Sequence, residues 1–94
     1  MFVATLKFAD KSKAPQLMDG HIDWINRGFA DGVFVLSGGL QPGLGGAVIG
    51  HGVSRAEFEA RVQNDPFVAQ GVVTAEIIEI SASQADERLA FLKG

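Results

Sequence analysis

Hydrophobic and polar positions alternate with a period of two at the start of the chain. Phe2, Ala4, Leu6 and Phe8 share one face, and Val3, Thr5 and Lys7 share the other, the pattern of a strand. "DKSKAP" breaks it, and Pro15 suits the first turn of a helix, with Ser12 or Lys13 just before it. From Gln16 to Phe29 the period becomes helical. Leu17, His21, Ile25 and Phe29 form an i, i+4 ladder with Met18 and Ile22 alongside, Gly28 weakens the end, and "FADG" closes it. "VFVLSG" (Val33 to Gly38) is apolar on both faces, which predicts a central strand covered on both sides. The glycine-rich "GGLQPGLGG" reads as a turn-forming connection. "LGGAVIGHG" (Leu44 to Gly52) reads as a third strand, antiparallel to the second, whose glycines leave room for close approach to the backbone. "SRAE" at Ser54 to Glu57 carries the capping-box signature of a helix that continues through Phe58 and Val62. "GVVTAEIIEI" (Gly71 to Ile80) reads as the last strand. "SQADERLAFL" predicts a short terminal helix capped by Ser83, with Ala85, Leu89 and Leu92 on its apolar side.

The predicted order is β-α-β-β-α-β with a tail helix. It corresponds to the split βαβ, ferredoxin-like arrangement, an α+β fold with one antiparallel sheet and both helices on one face. We expect one domain over residues 1–94, with its core in 1–80 and a helical extension in 81–94. This leaves an energetic problem. Several strands are apolar on both faces, and helices cover only one. Leaving such a face wet forfeits several kcal/mol at roughly 25 cal/mol per Å². A symmetric homodimer with sheets face to face removes the problem.

Composition narrows the function classes. The 94 residues are 47% hydrophobic and 20% charged, with net charge -3, a globular balance. The basic residues are scattered, so no nucleic-acid surface is expected. There are no cysteines, which excludes disulfide scaffolds and thiolate metal sites. "MFVATLKFADK" is interrupted by Lys7 and Asp10 and does not read as a signal peptide. "GLGGAVIG" is too short to span a bilayer. A soluble, cytoplasmic protein without a membrane partner is expected.

Few residues carry candidate chemistry. His21 lies on the apolar side of its helix, either as a buried structural histidine or as a proton shuttle with a near-neutral group. Asp65, in "DPF", suits the N-cap of a short helical turn with Pro66 first and Gly71 as the stop. Its carboxylate is also suited to holding one tautomer of a histidine, and the two readings are compatible. Ser37 either ends a strand or hydrogen-bonds a substrate, and it sits in no nucleophile-elbow motif. Trp24 is expected to pack, or at most to line a pocket. Arg27 and Arg61 read as helix-surface charges. The glycines from Gly38 to Gly46 match no phosphate-loop pattern. His51 and His21 have no metal-ligand spacing, and His51 reads as a loop residue.

His21 in the first helix, "SG" at Ser37–Gly38, "DPF" at Asp65–Phe67, and Gly71 before the last strand resemble, in order and spacing, the YCII-related family. The resemblance covers Met1 to Ile80. It implies a ferredoxin-like fold paired into a dimeric α/β barrel. It implies a site built around His21 and Asp65, which we expect to be the acid–base pair, and we expect Ser37, Gly38, Trp24 and Phe67 as substrate contacts. Small substituted aromatic or carbonyl compounds are the implied substrates, isomerisation or elimination, including dehydrochlorination, is the implied chemistry, and no metal or organic cofactor is implied. A non-catalytic ligand-binding or regulatory dimer is the alternative. The chain departs from the family pattern at Gly38–Gly39, where members often have Gly-Pro, at "EIS" after the last strand, and in its tail from Ser83.

Overall fold

The computed structural model describes residues 1–93. Strand β1 (Phe2–Phe8) leads through a 3-10 turn at Lys11–Lys13 into helix α1 (Ala14–Ala30). A hairpin follows, made of β2 (Phe34–Leu40) and β3 (Gly45–Gly50). Helix α2 (Arg55–Gln63) and the single turn α3 (Pro66–Ala69) precede β4 (Val73–Glu79). The four strands form one antiparallel sheet in the order β2-β3-β1-β4, the ferredoxin-like α+β arrangement that the element order predicts.

Local signals explain the helix starts. Pro15 sits in the first turn of α1, where its missing N–H costs nothing. At α2 the Glu57 N–H donates to Ser54 Oγ at 3.1 Å, and the Ser54 N–H donates back to Glu57 Oε1 at 3.3 Å, a complete capping box.

The core lies between the sheet and the helices. Phe2, Ala4 and Leu6 of β1 point into it, with Val48 of β3, Phe58 and Val62 of α2, and Phe34 of β2. Phe2 stacks on Phe58 with centroids 4.9 Å apart. Fully burying one such side chain contributes about 1.5–3 kcal/mol. Helix α1 runs past Gly28 to Ala30. A Cβ at Gly28 would overlap the Phe34 ring, so the glycine lets helix and strand close on each other.

One expectation is corrected. β2 is an edge strand and not a central, doubly covered one. Its outer side chain Leu36 is 53% exposed, and an irregularity between Phe34 and Leu36 interrupts its pairing with β3, which blunts the edge. The apolar pattern on both sides of β2 has another origin, because the outer face carries a row of its own. Leu36, Ile49, Val3 and Ile78 are cross-strand neighbours and span all four strands. The next rows along that face turn polar, through Thr5 and Glu76 to Lys7 and Thr74.

The tail also differs from its expected form. Asp86, not Ser83, starts it, accepting the Arg88 N–H at 3.0 Å. The segment Glu87–Lys93 is 3-10 in type, kinked at Leu89, with no buried residue. Seven residues without a core to bury gain too little to offset the cost of nucleating an α-helix. Phe91 meets the His51 ring edge-on at 5.1 Å, beyond the end of β3. Among the described residues no helix is long and apolar enough to cross a membrane.

Candidate functional site

His21 projects from the middle of α1, and Asp65 begins α3. The two helices come close because α1 has Gly20 opposite Pro66, where an added Cβ would lie only 3.1 Å from the proline Cγ. Asp65 has the extended backbone of an N-cap, and its Oδ1 accepts the Phe67 N–H at 3.1 Å. The same oxygen lies 2.8 Å from His21 Nδ1. The Asp65 side chain is fully buried, and that of His21 is 15% exposed. Asp65 Oδ2 is buried with no partner among the described residues. Both hydrogen bonds thus converge on one oxygen of a carboxylate surrounded by core.

Aromatic rings fix the imidazole plane. The Phe67 ring lies parallel to it at 4.1 Å, with an interplanar angle of 5°. The Trp24 ring lies 6.0 Å away, inclined at 24°. The Trp24 indole N–H donates to the Arg61 carbonyl at 2.8 Å, which ties α1 to α2. With Nδ1 facing a carboxylate, the neutral ring carries its hydrogen there, and the Nε2 lone pair is left as its acceptor.

His21 also forms part of the wall of a cleft between α1 and the sheet. The cleft has two adjoining lobes, of about 200 Å³ and about 150 Å³, which share Leu6, His21, Gly38 and Gly46. Phe8, Met18, Gly45, Phe67 and Val73 complete the first lobe. Ile25, Ser37 and Val48 are among those that complete the second. The floor is β2–β3 backbone. At Gly45, with φ of 138°, a Cβ would overlap the Leu6 carbonyl, so only glycine lets the hairpin pass there.

Ser37, Gly38 and Phe67, three of the residues named for substrate contact, therefore border this cleft together with His21. Trp24 does not. It borders a separate groove of about 420 Å³ between α1 and α2, with Arg27, Asp31 and Arg61. That larger groove contains no histidine, and its Arg61 is spent on Asp31 at 2.8 Å. His51 is remote, and no group of three His, Asp or Glu side chains among the described residues is placed to hold a metal ion. Sequence reasoning missed Gly20, Gly46, Met18 and Leu6. Gly46 in the "GLGGA" run carried a trace of signal, as a glycine inside a strand.

No curated protein matches the sequence. Among solved structures the chain is similar to the 5-chloro-2-hydroxyhydroquinone dehydrochlorinase TftG from Burkholderia phenoliruptrix AC1100, in complex with 2,5-dihydroxybenzoquinone. The TM-score is 0.63 at 16% identity, covering 85% of this chain and 93% of that one, a likeness of fold. Residues 1–81 match the YCII-related domain, and the chain belongs to that family.

Proposed function

We propose that this protein is a small cofactor-independent acid–base enzyme acting on a small aromatic or carbonyl compound in the cleft beside His21. The observation that carries this reading is the 2.8 Å contact between His21 Nδ1 and a fully buried Asp65, with the imidazole facing a cleft. Asp65 keeps the hydrogen on Nδ1 and stabilises the imidazolium formed when Nε2 takes a proton from substrate. Returning that proton to another atom of the substrate completes an isomerisation. Losing a leaving group such as chloride from the deprotonated substrate completes an elimination, and the TftG similarity supports that branch. General acid–base catalysis of this kind accounts for about 10²–10⁴-fold in rate. Ser37, on the second lobe, is the hydroxyl placed to hold a substrate oxygen.

The apolar row Leu36, Ile49, Val3 and Ile78 supports a homodimer through the outer sheet face. Leu36 and Ile78 are 53% and 51% exposed, in a contiguous line that a second copy covers symmetrically.

A screen of hydroxylated and chlorinated aromatics, followed by proton exchange and halide release, tests the proposal. Turnover lost in both His21→Gln and Asp65→Asn, with the fold retained, is the expected result. Turnover that survives His21→Gln refutes it. The stacking of His21 on Phe67 favours a second reading, a non-catalytic ligand-binding or regulatory dimer in which His21–Asp65 is a structural pair. Under that reading ligands bind without turnover, and both substitutions cost stability.

A further inference from the structure

The lining of the cleft restricts the charge of whatever enters it. The walls named above are aliphatic, aromatic or glycine, and the polar side chains on them are those of His21 and Ser37. Among the described residues neither lobe is lined by a lysine, arginine, aspartate or glutamate. Asp65, behind His21, is fully buried, with one carboxylate oxygen already unpaired. The charged groups of the neighbouring elements are elsewhere. Arg61 pairs with Asp31, Arg55 pairs with Glu59, and Arg27 borders the groove between α1 and α2. Lys7 points to the outer face, opposite Thr74. The cation touching the lining is Lys11, an exposed residue whose Nζ lies 4.8 Å from the Phe8 ring centroid.

Resting on the acid–base reading of the same site, we infer that the cleft selects an uncharged, planar, hydroxyl-bearing ring and rejects its carboxylate counterpart. A ring hydroxyl reaches the site neutral. Its proton moves from oxygen to His21 Nε2, so the charge created on the ring and the charge created on the imidazole cancel. The total charge of the complex does not change. A carboxylate brings a second negative charge close to Asp65, into apolar walls with no cation among their described lining residues, and such burial is costly. The floor at Gly46, which lies on the α1 side opposite Leu6, has no side chain between a flat ring and the strands, which leaves a slot suited to a planar molecule. Met18, 38% exposed on the first lobe, is the position from which the charge preference can be altered.

The test uses two probes of nearly identical shape, 4-hydroxybenzamide and 4-hydroxybenzoate, titrated into the isotope-labelled full chain at neutral pH. Amide shifts at Gly38, Gly46 and Phe67 and the His21 ring signals are followed. The amide is expected to perturb these signals and the carboxylate to bind at least about tenfold more weakly. Met18→Arg is expected to reverse the order, and Lys11→Met to leave it unchanged. Equal binding of the two probes at the same amides overturns the charge selection while leaving the cleft as a binding site. Carboxylate binding that disappears in Lys11→Met overturns it as well, and assigns the charge to Lys11. If neither probe perturbs the cleft signals, the inference and the acid–base reading beneath it both fail.

Discussion

The imidazole of His21 lies flat on the ring of Phe67, 4.1 Å away and within 5° of parallel. Phe67 is at once a core residue, a neighbour of the Asp65 cap and the surface that sets the plane of the histidine. A shorter side chain separates these roles. Phe67→Leu keeps much of the burial and loses the stacking surface. We expect a stability loss of about 1–3 kcal/mol and a broadened range of His21 ring orientations. Thermal unfolding reads the first and imidazole NMR linewidths the second; unchanged ring signals would show that Asp65 alone orients His21.

Asp65 holds two hydrogen bonds with one oxygen, and the two losses can be told apart. Asp65→Asn retains an oxygen that accepts the Phe67 N–H, so the cap survives and the carboxylate charge does not. Asp65→Ala removes the cap as well, for a further loss of about 0.5–2 kcal/mol. Denaturant midpoints should therefore rank wild type and Asn above Ala. Equal midpoints for Asn and Ala would mean that the cap contributes nothing.

The outer row of Leu36, Ile49, Val3 and Ile78 gives a test of association. A lysine at position 78 sets a charge at the β4 end of the proposed contact row. Light scattering at micromolar concentration should show a dimer for the parent chain and a monomer for Ile78→Lys. A monomeric parent chain would refute the face-to-face arrangement outright.

Packing at Gly28 gives a stability prediction with an unusual sign. In most helix interiors Gly→Ala stabilises by about 0.5–1 kcal/mol. Here the new methyl meets the Phe34 ring, so Gly28→Ala should destabilise by about 1–3 kcal/mol. A rise in Tm would mean that Phe34 has room to move away.

Asp10 carries a small pH dependence. The Ser12 hydroxyl beside its carboxylate, and the Ser12 backbone N–H that donates to it at 2.9 Å, hold its pKa below the usual carboxylate value. A lowered pKa in the folded state contributes stability above the unfolded value, which is lost as pH falls through the folded one. The Tm difference between the parent chain and Asp10→Asn should therefore be widest near neutrality and close below about pH 4. The group is exposed, so the difference is small. A difference that grows on acidification contradicts the assignment.

The element order and the capping box at Ser54–Glu57 were legible because they depend on neighbours in the chain. Asp65 as an N-cap was legible for the same reason. The edge position of β2 was not. Two apolar faces read as burial on both sides, whereas here one face packs on helices and the other lies bare in the isolated chain. The cleft was hidden too. Its floor depends on which glycines of the hairpin turn toward α1, and that follows from the pairing of Ser37 with Val48 and Gly46 with Leu6. Nothing local announces that Gly20 admits Pro66, or that the Trp24 indole finds the Arg61 carbonyl.

The oxygen shared by His21 and the Phe67 amide makes the protein its own indicator. A proton gained or lost by the imidazole changes the pull on Asp65 Oδ1, and the same oxygen holds the first amide of α3. The Phe67 N–H resonance should then follow the state of the histidine, without any probe attached, whenever a molecule occupies the cleft.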